Sequence, residues 1–75
     1  MAPMAYLLRW TENTDGSFSA TTHNGKTYRV ERIDGAWWAL APYDDTRGGP
    51  HESSIIARYT CDSFALDLEG PENVL

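Results

Sequence analysis

The sequence predicts an α+β domain in which a four- to five-stranded antiparallel meander sheet carries one C-terminal helix on one face. Three Asx-Gly pairs in the first half of the chain, separated by segments rich in aromatic and β-branched residues, indicate consecutive hairpins. An apolar stripe with helical spacing between Thr60 and Gly70 indicates the helix. At 75 residues, the chain 1–75 is expected to form a single small domain with a thin core.

The three pairs are Asp15-Gly16, Asn24-Gly25 and Asp34-Gly35, at offsets of nine and ten residues. A two-residue type I′ turn requires φ > 0 at both central positions, which Asn, Asp and Gly tolerate better than other residues. We therefore expect three two-residue turns in a row. They delimit four strands, near residues 5–12, 17–23, 26–33 and 36–42.

Two-residue turns also determine which residues pair across the strands. Val30 is then expected to face Ala39, Thr21 to face Tyr28, and Trp10 to face Thr21. Because side chains alternate between the two faces of a strand, one face collects the expected core. Its members are Tyr6, Leu8, Trp10, Ser19, Thr21, Tyr28, Val30, Arg32, Trp37, Ala39 and Ala41.

The opposite face mixes apolar and charged side chains and is the candidate partner-binding surface. Aromatic and Arg anchors ringed by small polar groups are the composition of binding hot spots. The competing interpretation is that residues 1–8 or the fifth strand fold over this face and bury its tryptophan in a second small core. The expected partner-binding residues are Trp38, Phe18, Arg29, Arg9, Leu40 and Ile33.

The second half of the chain is expected to begin with an exposed loop over residues 43–53, which is rich in Gly and Asp. Ile55, Ala57 and Tyr59 then alternate with Ile56 and Arg58, which predicts a short fifth strand over 54–59.

A helix over 61–69 should follow, because the Thr60 hydroxyl can accept from a free N–H of the first turn and Gly70-Pro71 stops the helix. Its apolar stripe consists of Cys61, Phe64, Ala65 and Leu68, and Leu66 falls outside it. The tail, residues 71–75, is expected to fray.

The acidic charge is concentrated in the C-terminal part of the chain. Charged residues up to position 43 balance to zero, so residues 44–75 carry the whole net charge of −5. Non-specific nucleic-acid binding depends on Lys and Arg that neutralise phosphates. The charge therefore weighs against nucleic acid as a partner.

No motif in the sequence specifies a reaction, so we expect a protein that is not an enzyme and has no metal, cofactor or small-molecule substrate. His23, His51 and Cys61 lack the short spacing of a zinc site. Cys61 lies on the apolar stripe, where a small buried side chain is the expected role. Asp44-Asp45 and Arg47-Gly48-Gly49 give only weak signals for a cation and a phosphate.

The start of the chain lacks the features of a secretory signal, and no apolar run is long enough to cross a bilayer. A single cysteine excludes an internal disulfide. A cytoplasmic protein without a membrane partner is the expectation.

The segment from Trp10 to Trp38 resembles small uncharacterised proteins of actinobacteriophages and their actinobacterial hosts. The resemblance covers about half the chain and implies an accessory protein in the host cytoplasm that acts on a host factor, with no catalytic residues. It rests on Trp10-Thr11-Glu12-Asn13, Asp15-Gly16-Ser17-Phe18, Asn24-Gly25, Tyr28-Arg29-Val30-Glu31 and Gly35-Ala36-Trp37-Trp38-Ala39.

A looser similarity is to the arm-binding domains of tyrosine integrases, in which three strands precede a Thr-capped helix. Tyr59-Thr60 and the helix 61–69 match that layout. The resemblance implies DNA contacts from the sheet face opposite the helix. The residues concerned are Arg9, Arg29, Thr22 and Thr27. Such domains are usually basic, and this chain has a pI of about 4.7.

These observations favour a non-enzymatic protein-interaction module that binds a host protein or a second copy of itself through the exposed sheet face. The alternative is a sequence-specific DNA-binding accessory factor that uses the same face. A third hypothesis rests on charge alone: that an acidic helix mimics DNA and occupies a basic groove of a host protein. The acidic residues concerned are Asp62, Asp67, Glu69 and Glu72.

Overall fold

Five antiparallel strands form one sheet in chain order in the computed structural model, which describes residues 6–44 and 46–74. A helix packs on one face of the sheet, so the predicted α+β meander is confirmed. The elements are β1 (Thr11–Glu12), β2 (Phe18–Thr21), β3 (Thr27–Ile33), β4 (Ala36–Leu40), β5 (Arg47–His51), α1 (Ser54–Glu69) and α2 (Pro71–Val74).

The turn between β3 and β4 has the predicted two-residue form. Asp34 and Gly35 have φ values of 52° and 82°, and Ile33 pairs with Ala36 across the turn. Both central residues therefore have the positive φ that a type I′ turn requires. The predicted pairing of Val30 with Ala39 is confirmed with it.

The turn between β2 and β3 is one residue longer than predicted. The Gly25 N–H donates to the Thr22 carbonyl, and the Thr22 N–H donates to the Lys26 carbonyl. With Gly25 at φ 84°, this is a type I turn closed by a bulge, in a three-residue loop. The turn between β1 and β2 has the same form, since the Gly16 N–H donates to the Asn13 carbonyl and the Asn13 N–H donates to the Ser17 carbonyl.

The longer turns exchange the two faces of β2. Thr21 pairs with Thr27 rather than with Tyr28, because one extra residue in the loop shifts the register by one. Phe18 and Ala20 consequently lie on the helix side, where Ala20 is buried, and the prediction that placed Phe18 on the opposite face is wrong. Ser19 and Thr21, predicted for the core, lie on the opposite face.

The side chains of β1 lie on the predicted faces, because the register shift between β1 and β2 cancels the shift between β2 and β3. Thr11 pairs with Ser19 instead of following the predicted pairing of Trp10 with Thr21. Two shifts of one residue restore the original alternation, so Trp10 packs against the core as expected.

The segment 43–59 differs most from the prediction. Residues 47–51 form β5 where a loop was expected, and residues 54–59 form the start of α1 where a strand was expected. Ser53 rather than Thr60 caps the helix, since its hydroxyl accepts from the Ile56 N–H at 3.3 Å. The prediction therefore started the helix about two turns too late.

Small side chains allow α1 to lie close to the sheet. Ala57, Cys61 and Ala65 are fully buried at i, i+4 and i+8. Gly48 of β5 extends this contact, because a Cβ there would lie 3.0 Å from the Thr60 methyl group. The rest of the buried core comes mainly from the sheet, with Leu8 and Val74 from the ends of the described chain. These residues are Leu8, Ala20, Tyr28, Val30, Ala39 and Val74.

The predicted apolar stripe of the helix is only partly correct. Leu68 is 46% exposed, although it was expected in the core, and Leu66 packs against the core, although it fell outside the stripe. The buried face also includes Asp62. The buried face of the helix is therefore rotated from the predicted stripe toward Asp62 and Leu66. The Asp62 side of the helix faces the N-terminal segment.

Residues 6–10 lie against the helix instead of extending β1. The Asp62 carboxylate accepts from the backbone N–H of Leu7 at 3.0 Å and of Leu8 at 3.2 Å. The Tyr6 ring lies 4.7 Å from that of Tyr59. The predicted strand 5–12 is therefore reduced to its last two residues. Its first residue, Ala5, lies outside the described residues, as do residues 1–4.

The C-terminal tail is ordered through Val74. Residues 71–74 form α2, the Val74 side chain is buried, and the His23 N–H donates to the Asn73 carbonyl. The predicted fraying is wrong for 71–74, and Leu75 lies outside the described residues. In the described part of the chain, no helix combines the length and the apolarity needed to cross a membrane.

Candidate binding surface

The outer face, the side of the sheet directed away from α1, presents four of the six predicted partner-binding residues. Cross-strand pairs share a face, so the pairing of Arg29 with Leu40 places both there. Ile33 and Trp38 lie on the same face. Trp37 packs against the core on the helix side, and the opposite placement of the adjacent tryptophans is as predicted.

A pocket of about 400 Å³ opens on the outer face, and we call it the Trp38 pocket. Its lining is mainly apolar and combines residues from three strands. These residues are Ile33, Ala36, Trp38, Leu40 and Pro50. Two charged residues complete the lining, Asp34 from the β3–β4 turn and Arg47 from the start of β5.

The Trp38 ring is held in place by the backbone of β5. A Cβ at Gly49 would lie 2.9 Å from Cε3 of Trp38, which is closer than side chains normally approach. The guanidinium carbon of Arg47 lies 5.7 Å from the ring centroid, within the range of a cation–π contact. The ring is therefore half-buried and fixed by its neighbours before any partner binds.

Arg29 is engaged by a carboxylate of its own strand. Its Nε lies 2.7 Å from Glu31, and this hydrogen bond raises the pKa of the Arg29 guanidinium. A weaker contact of 3.4 Å joins Arg29 to the buried Ser17 hydroxyl. Ser17 in turn donates to Asp15 from its hydroxyl and its N–H, which lowers the pKa of Asp15. The cation is thus part of a polar network within the sheet.

Phe18 does not belong to the outer face. Its ring centroid lies 6.1 Å from that of Trp37, and the Arg58 guanidinium carbon lies 4.2 Å from it, both on the helix side. The cause is the three-residue turn after β2, which reverses the direction of every β2 side chain. The face predicted for Phe18 is therefore wrong.

Arg9 lies at the far edge of the sheet from the Trp38 pocket. It lines a separate pocket of about 290 Å³ with Thr21 and His23. The strand order places β3 between this pocket and β4. Arg9 is exposed, but it is not brought together with Trp38.

Four residues of the Trp38 pocket are not among the predicted partner-binding residues, namely Asp34, Ala36, Arg47 and Pro50. The Gly-Gly-Pro run made residues 47–50 resemble a loop, whereas they form an edge strand in which Pro lacks only an N–H that an edge does not require. Arg47-Gly48-Gly49, a weak candidate for phosphate binding, is part of this strand.

Two of the four acidic residues in the DNA-mimic hypothesis have partners inside the fold. Asp62 is buried, and this burial raises the pKa of its carboxyl despite three hydrogen bonds, the third from Trp10 Nε1 at 3.4 Å. Glu69 accepts from the Tyr28 and Thr22 hydroxyls. These contacts remove half of the proposed acidic surface.

The residues with catalytic or metal-binding potential do not converge. Burial raises the pKa of the Cys61 thiol to about 12, far from the range of a reactive thiolate. In residues 6–44 and 46–74, no group of three or more His, Cys, Asp or Glu side chains is placed to hold a metal ion.

Comparison with known proteins returned no matching family model, no matching curated protein and no matching solved structure.

Proposed function

We propose that this protein is a non-enzymatic interaction module that binds a partner protein through its outer face. The observation that carries the proposal is the Trp38 pocket, in which a half-buried indole is fixed by Gly49 and surrounded by apolar side chains. Tryptophan and arginine are the residues most enriched at binding hot spots. A preformed aromatic anchor also loses little side-chain entropy when a partner binds.

Further support comes from the exposure of apolar groups around the indole. Ile33 is 44% exposed, and Pro50 is exposed beside it. An exposed apolar cluster on a small protein often marks an interaction site. The outer face thus has an apolar centre, and Arg29, Glu31 and the threonines of β2 and β3 supply the polar rim typical of an interface.

The setting we propose is that of a phage-type accessory protein in the host cytoplasm, whose partner is a host protein or a second copy of the chain. The resemblance in the segment 10–38 supports this setting. The same face would serve either partner, because an apolar pocket is suited to an anchoring side chain from another polypeptide.

Protein is favoured over DNA as the partner because the cations of the outer face are few and one of them is already paired. Arg29 is paired with Glu31, and Arg9 lies at the opposite edge of the sheet. Thr22 is buried and bonded to Glu69, which removes a third residue of the DNA-binding hypothesis. A steep loss of DNA affinity with salt, reduced in slope by about one in Arg29→Ala, would favour DNA instead.

The test is binding of a displayed random peptide library to the immobilised protein and to two variants. Trp38→Ala should lower peptide affinity by about thirtyfold, equivalent to about 2 kcal/mol at a hot spot, in a protein that remains folded. Leu68→Ala is the matched control, because Leu68 is an exposed apolar residue on α1. Leu68→Ala should change neither the peptide affinity nor the folded state.

Sedimentation equilibrium on the same three proteins identifies a self-partner. A dimer that is lost in Trp38→Ala supports the proposal with a second copy as the partner. If Trp38→Ala unfolds, Ile33→Ala, which removes less buried area, takes its place. Binding and association that are equal in the pocket variant and in Leu68→Ala would contradict the proposal.

A further inference from the structure

We infer that the Trp38 pocket binds an extended peptide segment that places a carboxylate on Arg47, a basic side chain on Asp34 and an apolar side chain between them. The inference rests on the proposed function and names the chemistry of the partner. It follows from the position of the two charged residues at opposite ends of one apolar pocket.

The pairing of the strands sets the distance between the two ends. Asp34 lies in the turn next to the Ile33–Ala36 pair, and Arg47 pairs with Leu40. From Ala36 to Leu40 is four steps along β4, or about 13 Å at roughly 3.3 Å per residue. An extended segment of about five residues spans this distance, with its central side chain near Trp38.

The charges at both ends are available to a partner. Arg47 and Asp34 are exposed, and neither forms an ion pair with another residue in the described ranges. The contact of Arg47 with the Trp38 ring is a cation–π contact, which does not use the N–H donors of the guanidinium. Arg29 on the same face differs, because Glu31 already neutralises it.

Opposite charges at the two ends also select against other ligands. A nucleic-acid backbone presents negative charge along its whole length, so Asp34 would repel it. A purely apolar peptide would leave both charged ends without a partner. A segment with one acidic and one basic residue is complementary at both ends and therefore binds in one orientation.

The experiment starts from the peptides selected against the immobilised protein. Those that depend on Trp38 should carry an acidic and a basic residue about four positions apart, with an apolar residue between them. For one synthesised peptide of this kind, Arg47→Glu should weaken binding about tenfold. Replacing the peptide's acidic residue by Lys should restore affinity for the Arg47→Glu protein.

Arg32→Glu is the charge control, because Arg32 is exposed but pairs with Trp37 on the helix side of the sheet. It should leave peptide affinity unchanged while making the same change in net charge. Trp38-dependent peptides without charge preference, or equal losses in Arg47→Glu and Arg32→Glu, would overturn this inference and leave the proposed function in place. A library without any Trp38-dependent peptide, together with no Trp38-dependent dimer, would overturn both.

Discussion

Gly49 lies against the indole of Trp38, so closely that a Cβ at Gly49 would be 2.9 Å from Cε3 of the ring and 3.0 Å from the Trp37 carbonyl oxygen. The residue has φ of 145°, a conformation that L side chains rarely adopt. The backbone of β5 is therefore what fixes the indole on the outer face. Any side chain at this position has to displace either the ring or the strand.

Gly49→Ala should lower the free energy of unfolding through both effects. The positive φ costs about 1–2 kcal/mol, and overpacking against the ring adds about 1–3 kcal/mol. Gly16→Ala is the control, because Gly16 also has a positive φ but has open space around it. Urea denaturation measures both variants, and equal losses in the two would show that Gly49 does not constrain Trp38.

Asp62→Ala should destabilise the protein by about 1–3 kcal/mol, because it removes the acceptor from two backbone N–H groups and the Trp10 indole. Hydrogen exchange should show lost protection at the Leu7 and Leu8 amides. Asp67→Ala, an exposed carboxylate on the same helix, should cost less than about 0.5 kcal/mol. Retained protection in Asp62→Ala would contradict this anchoring of residues 6–10.

The raised pKa of Asp62 predicts a specific pH dependence. Because the folded pKa lies above the ordinary value of 3.8, the folded state binds the proton more tightly than the unfolded state. This stabilisation is fully present below pH 3.8 and is lost as the pH rises through the folded pKa. The stability difference between the native chain and Asp62→Asn should therefore change in the native chain's favour on acidification. A stability difference between the two proteins that does not change with pH would contradict the raised pKa of Asp62.

Cys61 should not react with thiol reagents in the folded protein at pH 8. Its side chain is fully buried under α1, and its pKa of about 12 leaves almost no thiolate. Because the chain has one cysteine, the labelling rate with a disulfide reagent reports only this site. The rate should rise to that of a free thiol in urea. Rapid labelling without denaturant would show that the helix does not cover the sheet here.

Much of the fold could be predicted from local signals. Asp34-Gly35 forms the predicted turn because positive φ at both positions is a steric requirement that the sequence displays directly. The opposite orientation of Trp37 and Trp38 follows from this turn and from strand alternation. Cys61 and Ala65 are buried as predicted, since their spacing matches one face of a helix.

The prediction of the outer face failed at β2, because two types of turn share the same Asx-Gly sequence. Asx-Gly suits the two-residue turn and also the bulged three-residue turn, so the register of β2 was not determined by Asn24-Gly25. The alternation of Phe18 and Ala20 with serines and a threonine was the better indicator, because only the longer turn places these two apolar residues on the same face as the apolar core. Residues 47–50 could not be assigned, since an edge strand of this composition takes its form from pairing with β4.

The paired bulges make the lengths of the first two turns interdependent. Removing one residue from the turn before β2 would exchange the two side-chain faces of β1 alone and direct Trp10 to solvent. Removing one from the turn after β2 would reverse both strands and expose Phe18 as well. Removing one from each would restore Trp10 and leave only β2 inverted. Insertions and deletions in this protein are thus governed by parity, with the orientation of Trp10 set by the two loops jointly and that of Phe18 by the second alone.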